Sequence, residues 1–492
     1  MDNRGSIRGF LAGRQTDVMT ALAVGLAIAL VSAACTTKAG PTAGVNPPQT
    51  TGPTAGVSPT APAATATHPT SANASDEWPI TECGTISGTG CAPLERRVDL
   101  QRPVFSNPTN ITNPLFPVSA LRSVIQTGIV DGLPFRSETT TLPDPGVVDW
   151  YGTRVPVVIS QYVAYLDGRI TEVAIDRYAQ ADDGSVWYFG ETVIDYEDGV
   201  AFLTEGTWLA GRDGPPAMLM PAHPKVGDVF RVENITGIVF EELTVTKVDQ
   251  TLDGPNGPVS GGIVVDELSV TNEHSEKTLA PAYGEFLTTN ATEIEAMAVA
   301  TPTNALPGGV PLEIRRILTA AWGTLEYARA EDWEQATFST QRIATKFGQL
   351  RSTQQPPRVI TALSDALKAL QAAVAAKQVG PAEQASVDVA QAAIDLEARY
   401  LEPERVEIAR FHLHTQQLRV DAARGDKAGV AAEVAVLEWI RDRLIGNLDA
   451  AGREVLTGGL RELRIAAEVS NLGAAADVAT RLAGLLMALT VR

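Results

Sequence analysis

Histidine, cysteine and basic charge are what this sequence has least of. Five histidines in 492 residues leave few imidazoles for metal sites or for proton transfer near neutral pH. Lysine and arginine together number 39 against 58 acidic residues, a formal net charge of -19. Such a surface repels phosphate backbones, and no basic patch with interleaved aromatics interrupts it, which argues against a nucleic-acid partner. The G-x-S-x-G elbow, the H-E-x-x-H pair and a phosphate-cradling glycine loop are missing as well. No catalytic residue, resident metal or cofactor is therefore assigned.

Cysteine is scarce but well placed. Arg4, Arg8 and Arg14 precede an apolar run from Val18 to Val31, then Ser32, Ala33, Ala34 and Cys35, the layout of a signal peptide. There is no twin arginine, which points to the general secretory route. The run LVSAAC resembles the lipobox of bacterial lipoproteins, with Ser32 where leucine is usual. That resemblance implies acylation of Cys35 after removal of residues 1–34, and a chain held on the extracytoplasmic face of the cell membrane. Residues 35–76, rich in Pro, Thr and Ala with GPTAGV twice, read as a disordered tether. The two remaining cysteines, Cys83 and Cys91 in CGTISGTGC, are an even pair in an exported chain and are expected to form a disulfide.

Residues 77–300 read as a β-rich domain. The runs at 155–166, 170–179, 186–196, 239–248 and 262–270 carry Val, Ile, Tyr and Thr between glycine or aspartate turns. Their spacing predicts an antiparallel sheet or partly closed barrel. DDGSVWYFGE (182–191) poses a choice between an acidic metal loop and a hairpin turn. Calcium asks for six to eight oxygen ligands, and Asp182 and Asp183 point apart on an extended backbone, so Asp-Gly is read as the turn.

TNPLFPV (112–118), DDGSVWYFGE (182–191), EGTWLAGRDG (205–214) and MPAHPKVGD (220–228) resemble, in that order, motifs of a family of uncharacterised secreted and lipid-anchored bacterial proteins. The resemblance covers about residues 112–288 and implies a compartment and a β-rich domain; it carries over no activity. Trp187, Phe189 and Trp208, aromatics on strands, are candidates to line a cavity for an apolar or amphipathic ligand. Met218, Met220 and His223, in the loop GRDGPPAMLMPAHPKVGD, are candidates at its mouth. Their M-x-M-x-x-H order has the donor types of a cuprous site but lacks further ligands.

A proline and glycine linker at 301–311 separates this region from residues 312–492, where apolar residues recur every three to four positions. About seven amphipathic helices are expected, with boundaries at PPR (356–358), VGPAE (379–383), LEPER (401–405), RGDKAG (424–429) and the glycines at 458 and 459. They read as a bundle rather than a solenoid. His412 and His414 lie about 200° apart on a helix and cannot chelate one ion together. Two functions of different kinds fit: a tethered protein binding a small ligand in its β domain, or an adaptor docking an envelope protein through its helices.

Overall fold

The computed structural model describes residues 78–289, 294–300 and 305–488. The expected signal peptide, Cys35 and the tether lie outside them. Among the described residues no helix is long and apolar enough to cross a membrane.

The chain forms an antiparallel β domain followed by an all-α domain, as the change in periodicity predicts. The five runs read as strands are β4 (Thr153–Leu166), β5 (Arg169–Gln180), β6 (Val186–Glu197), β11 (Val239–Gly254) and β12 (Gly257–Ser269). Shorter strands complete the array: β1 (Ser123–Val130), β2 (Leu133–Thr141), β3 (Gly146–Trp150), β7 (Val200–Leu203), β8 (Trp208–Leu209), β9 (Ala217–Met220), β10 (Val229–Ile235), β13 (His274–Ala280), β14 (Gly284–Thr289) and β15 (Ile294–Ala300). Tight turns set the register: Asp131-Gly132, Asp167-Gly168 and Asp198-Gly199 all have positive φ, the backbone a type I′ hairpin requires.

The strands run in the order β10-β11-β12-β13-β14-β15-β1-β2-β4-β5-β6-β7, with β3 on β4 and both β8 and β9 on β6. The array rolls up until β9 packs against β10, and Trp208 of β8 donates its indole N–H to Glu233 of β10 at 3.0 Å. The result is a barrel shut on that side by side chains. Cys83 and Cys91 are disulfide-bonded in the N-terminal segment, which runs beside β10 through a parallel bridge between Arg97 and Val229.

Among the described residues eight helices follow: α1 (Leu312–Arg329), α2 (Trp333–Leu350), α3 (Pro357–Ala375), α4 (Val379–Glu397), α5 (Pro403–Arg424), α6 (Lys427–Leu444), α7 (Ala450–Glu468) and α8 (Leu472–Ala488). Four of the five expected boundaries fall at helix ends; the glycine pair does not. Gly458 and Gly459 lie inside α7, where a Cβ on Gly459 would stand 2.4 Å from Leu482 of α8. Glycine there lets two helices approach, which overrides its weak helix propensity.

The helices pair as four hairpins of one design. A residue of positive φ (Glu331, Lys377, Gly425, Ser470) precedes each second helix, and Asp332 and Asp426 cap α2 and α6 through backbone N–H groups. Helix α1 packs on α4 and α5 on α8. Two four-helix groups thus close on themselves, one around Ile314, Leu363 and Leu370, the other around Phe411, Leu437 and Leu460.

The second group shares its core with the barrel wall. Val163, Tyr165, Ile170 and Val173, on the outward face of β4 and β5, join Phe411 and Leu437 in one cluster. Buried charge crosses the same seam: Glu138 of β2 lies 2.5 Å from Arg136, 3.1 Å from Arg410 and 2.6 Å from Arg443. Arg443 also meets Glu407 at 3.0 Å and Gln161 at 2.5 Å, and Arg136 reaches Asp395 of α4 at 2.8 Å. Burial alone would raise the Glu138 carboxyl; Arg410, Arg136 and Arg443 hold it well below the usual carboxylate range. Gly199, at the β6–β7 turn, stands where a Cβ would lie 2.1 Å from the Ala432 amide of α6. The two domains are packed as one body.

Candidate functional site

The turn in DDGSVWYFGE is held by its own acids. Asp183 accepts from the Ser185 amide and hydroxyl at 2.9 and 2.5 Å, and the Trp187 indole donates to that hydroxyl at 2.8 Å. Asp182 accepts from the Ser106 amide and hydroxyl at 2.8 and 2.7 Å. Both acids serve the hairpin joining β5 to β6, as read from the sequence.

The candidate aromatics separate onto two faces of β6. Trp187 and Phe189 face outward, against Trp78, Phe105 and Trp150, with centroids 5.3 to 6.2 Å apart. Met218 pairs with Trp187 in register and shares that face. Trp208 points the other way, edge-on to Tyr188 at 5.5 Å. Trp187, Phe189, Trp208, Met218 and Met220 are all buried, whereas His223 is exposed in the following loop. The six residues do not gather around one space.

The space lies inside the barrel, and its chemistry is acidic. Register places Glu172, Asp176 and Tyr178 of β5 opposite Asp195, Glu191 and Tyr188 of β6, and Ser160 and Tyr162 of β4 beside Asp176 and Ala174. Across the barrel, Glu233 of β10 pairs with Glu241 of β11, and Lys277 of β13 with Val265 of β12. A cavity of about 60 Å³ is floored by Gln126, Ser160, Tyr162, Asp176, Tyr178 and Glu285. The rest of its lining is largely apolar: Phe116, Val118, Leu121 and Val124, with half-buried Pro117. A second lobe of about 30 Å³ continues past Phe116 and Glu285 to Tyr188, Glu233, Glu241 and Lys277.

One lysine does not balance these acids. Lys277 lies 2.8 Å from Glu241 and 2.9 Å from Glu267; burial would lower its pKa, but Glu241, Glu267 and Glu285 hold it well above the usual lysine value. On the opposite wall Asp176 accepts from Tyr188 at 2.7 Å and from Ser160 at 3.1 Å. Burial pushes Asp176 up to about 6 against those hydrogen bonds, and pushes Glu233 up to about 7. Glu191 is raised well above the usual range by burial and by Glu233, and Glu172 by burial, Asp195 and Asp176. Glu172 Oε1 is buried without a hydrogen-bond partner, whereas the Glu191 and Glu233 carboxyls hydrogen-bond to each other, a contact that requires a proton on one of them. Among the described residues, no three histidine, cysteine or acidic side chains converge to hold a metal ion.

The four quoted motifs build one end of this barrel. Asn113 of TNPLFPV donates to the carbonyls of Gly184 at 3.1 Å and Pro221 at 3.0 Å, tying three motifs together, and Phe116 lines both lobes. The fourth brings Trp208 against Tyr188; Gly190 has φ +109, and a Cβ there would stand 2.3 Å from the Trp208 carbonyl. His414 meets Glu433 at 2.8 Å and stacks on Tyr165, while His412 lies edge-on to Trp322. The two histidines take separate places. Compared with protein-family models and with curated proteins, the chain matches none.

Proposed function

We propose that this chain is a lipid-anchored, extracytoplasmic binding protein whose barrel takes the polar end of a small amphipathic ligand. Cys35 after an apolar run and the polar tether support the location, and the Cys83–Cys91 disulfide fits an oxidising compartment. The observation that carries the binding reading is the mixed lining of the cavity: Phe116, Val118, Leu121 and Val124 share one space with Asp176, Tyr162 and Gln126. Its size limits the enclosed part to a few heavy atoms, since a water molecule occupies ~30 Å³ of liquid. The family resemblance in the four motifs agrees with a secreted or anchored protein.

Anchoring is tested by Cys35→Ser in a bacterial host: the wild-type chain sediments with membranes and takes up a labelled fatty acid, and the variant does neither. An unlabelled wild-type chain would remove the anchor. A second reading, an adaptor docking an envelope protein, draws on Val455, Ile465, Val469 and Leu485, which remain exposed on α7, its C-terminal end and α8. Crosslinking in cells through those positions tests it.

A further inference from the structure

We propose that the outer face of the α7–α8 hairpin pairs with the same face of a second copy of this chain. The adaptor reading draws on the same side chains, and a second copy is the occupant that their arrangement favours.

The two four-helix groups repeat one another. Pro357 and Ala450 open α3 and α7, Lys377 and Ser470 take positive φ at their turns, and Val379 and Leu472 open α4 and α8, each pair at one constant separation in sequence. The buried faces repeat as well: Leu456, Leu460 and Leu463 of α7 fall on Leu363, Leu367 and Leu370 of α3. The exposed faces do not. Val455, Ile465, Val469 and Leu485 are 42 to 69% exposed, and the matching residues of the first group are Ala362, Ala372, Ala376 and Ala392. The hairpin therefore closes with alanine at these places, and the large side chains of the second group lie outside what its packing needs. Exposed apolar area that folding does not use marks a contact surface.

These side chains form one surface. Val455, Glu462, Ile465 and Val469 follow one another at steps of seven, three and four residues, which keeps them on one stripe of α7. Glu462 meets Arg481 of α8 at 2.6 Å, both more than half exposed, and Leu485 stands one turn beyond Arg481 on the same side. The ion pair divides the surface: Val455 and Leu485 lie at one end, Ile465 and Val469 at the other. A face with both signs at its centre and apolar side chains at both ends is complementary to itself. A two-fold axis through the pair sets Glu462 of each copy against Arg481 of the other. It also brings Val455 and Leu485 onto Ile465 and Val469, the isologous contact of a symmetric dimer. Two chains of net charge -19 thus meet where opposite charges face each other.

The test is sedimentation velocity of the whole chain in nonionic detergent from about 1 to 100 µM, with crosslinking in cells beside it. The wild type is expected to form dimers. Glu462→Arg alone and Arg481→Glu alone are each expected to weaken them about tenfold or more through like charges across the axis. An equal mixture of the two variants is expected to dimerise again, since each supplies the charge the other lacks. The combined Val455→Ala, Ile465→Ala, Val469→Ala and Leu485→Ala variant, which copies the first group, is expected to remain folded by circular dichroism and to sediment as a monomer. A wild type that stays monomeric at about 100 µM, a dimer that the alanine variant leaves intact, or a mixture that stays monomeric while the wild type dimerises would overturn the proposal. A crosslink from position 465 to a different envelope protein, with the chain itself monomeric, would overturn it and give the face to the adaptor reading.

Discussion

Glu138 carries the charge balance of the seam between the domains. It is fully buried, and three arginines from β2, α5 and α6 converge on it. Removing one member of a buried ion pair strands the others and costs ~3 to 5 kcal/mol. Glu138→Ala is accordingly expected to lower the unfolding free energy by about that much, measured by urea denaturation. A loss below about 1 kcal/mol, the usual worth of an exposed pair, would mean that the seam is hydrated. None of this network is legible in the sequence. Glu138 sits in RSETTTL, a polar run that reads as a solvent face, and two of its three partners, Arg410 and Arg443, are more than 250 positions away.

At the scale of elements, the strands with a long apolar alternation are plain in the sequence and the inner acids are not. In ITEVAIDRYA, Val173 and Ile175 pack toward the helices while Glu172 and Asp176 face the barrel lumen. Sequence periodicity reports two faces, and chemistry ordinarily assigns the acidic one to water; here the helices cover the apolar face and the closed barrel covers the acidic one. The same alternation splits adjacent acids, sending Glu241 inward to Lys277 and Glu242 outward to Arg231 at 3.0 Å. Trp187 and Phe189 read as cavity-lining candidates, but they take the outward face of β6, which is covered by β3 and the N-terminal segment, from distant sequence. Glycine placement is similarly opaque: Gly459 reads as a helix end and serves as a contact. Gly459→Val is expected to push α8 off α7 and lower the thermal midpoint, whereas Gly458→Ala, with open space around it, is expected to raise it slightly, since alanine favours a helix by up to ~1 kcal/mol. Equal effects at the two positions would contradict the assigned close approach.

For the whole molecule, buried acids set the response to pH. Asp176 is raised to about 6, and Glu233, Asp195, Glu397 and Asp421 to about 7, each chiefly by burial. A carboxyl whose folded pKa exceeds its unfolded value stabilises the fold below the unfolded value, near 4, and that contribution is lost as pH rises through about 7. Glu138, held low by its arginines, works in the opposite sense and loses its contribution as pH falls below the usual carboxylate range. Stability is therefore expected to peak on the acidic side of neutrality, with the thermal midpoint falling between pH 5.5 and pH 8. A midpoint rising across that interval would contradict the protonated lumen. A ligand bound only by the folded barrel would raise the midpoint, which joins the stability of the barrel to its proposed occupancy.

That occupancy is tested most directly by native mass spectrometry of the chain purified from membranes at pH 7.5 without added ligand. The expected result is a polypeptide carrying, beyond its lipid, one small amphipathic molecule. A mass equal to the acylated polypeptide alone would contradict the binding reading.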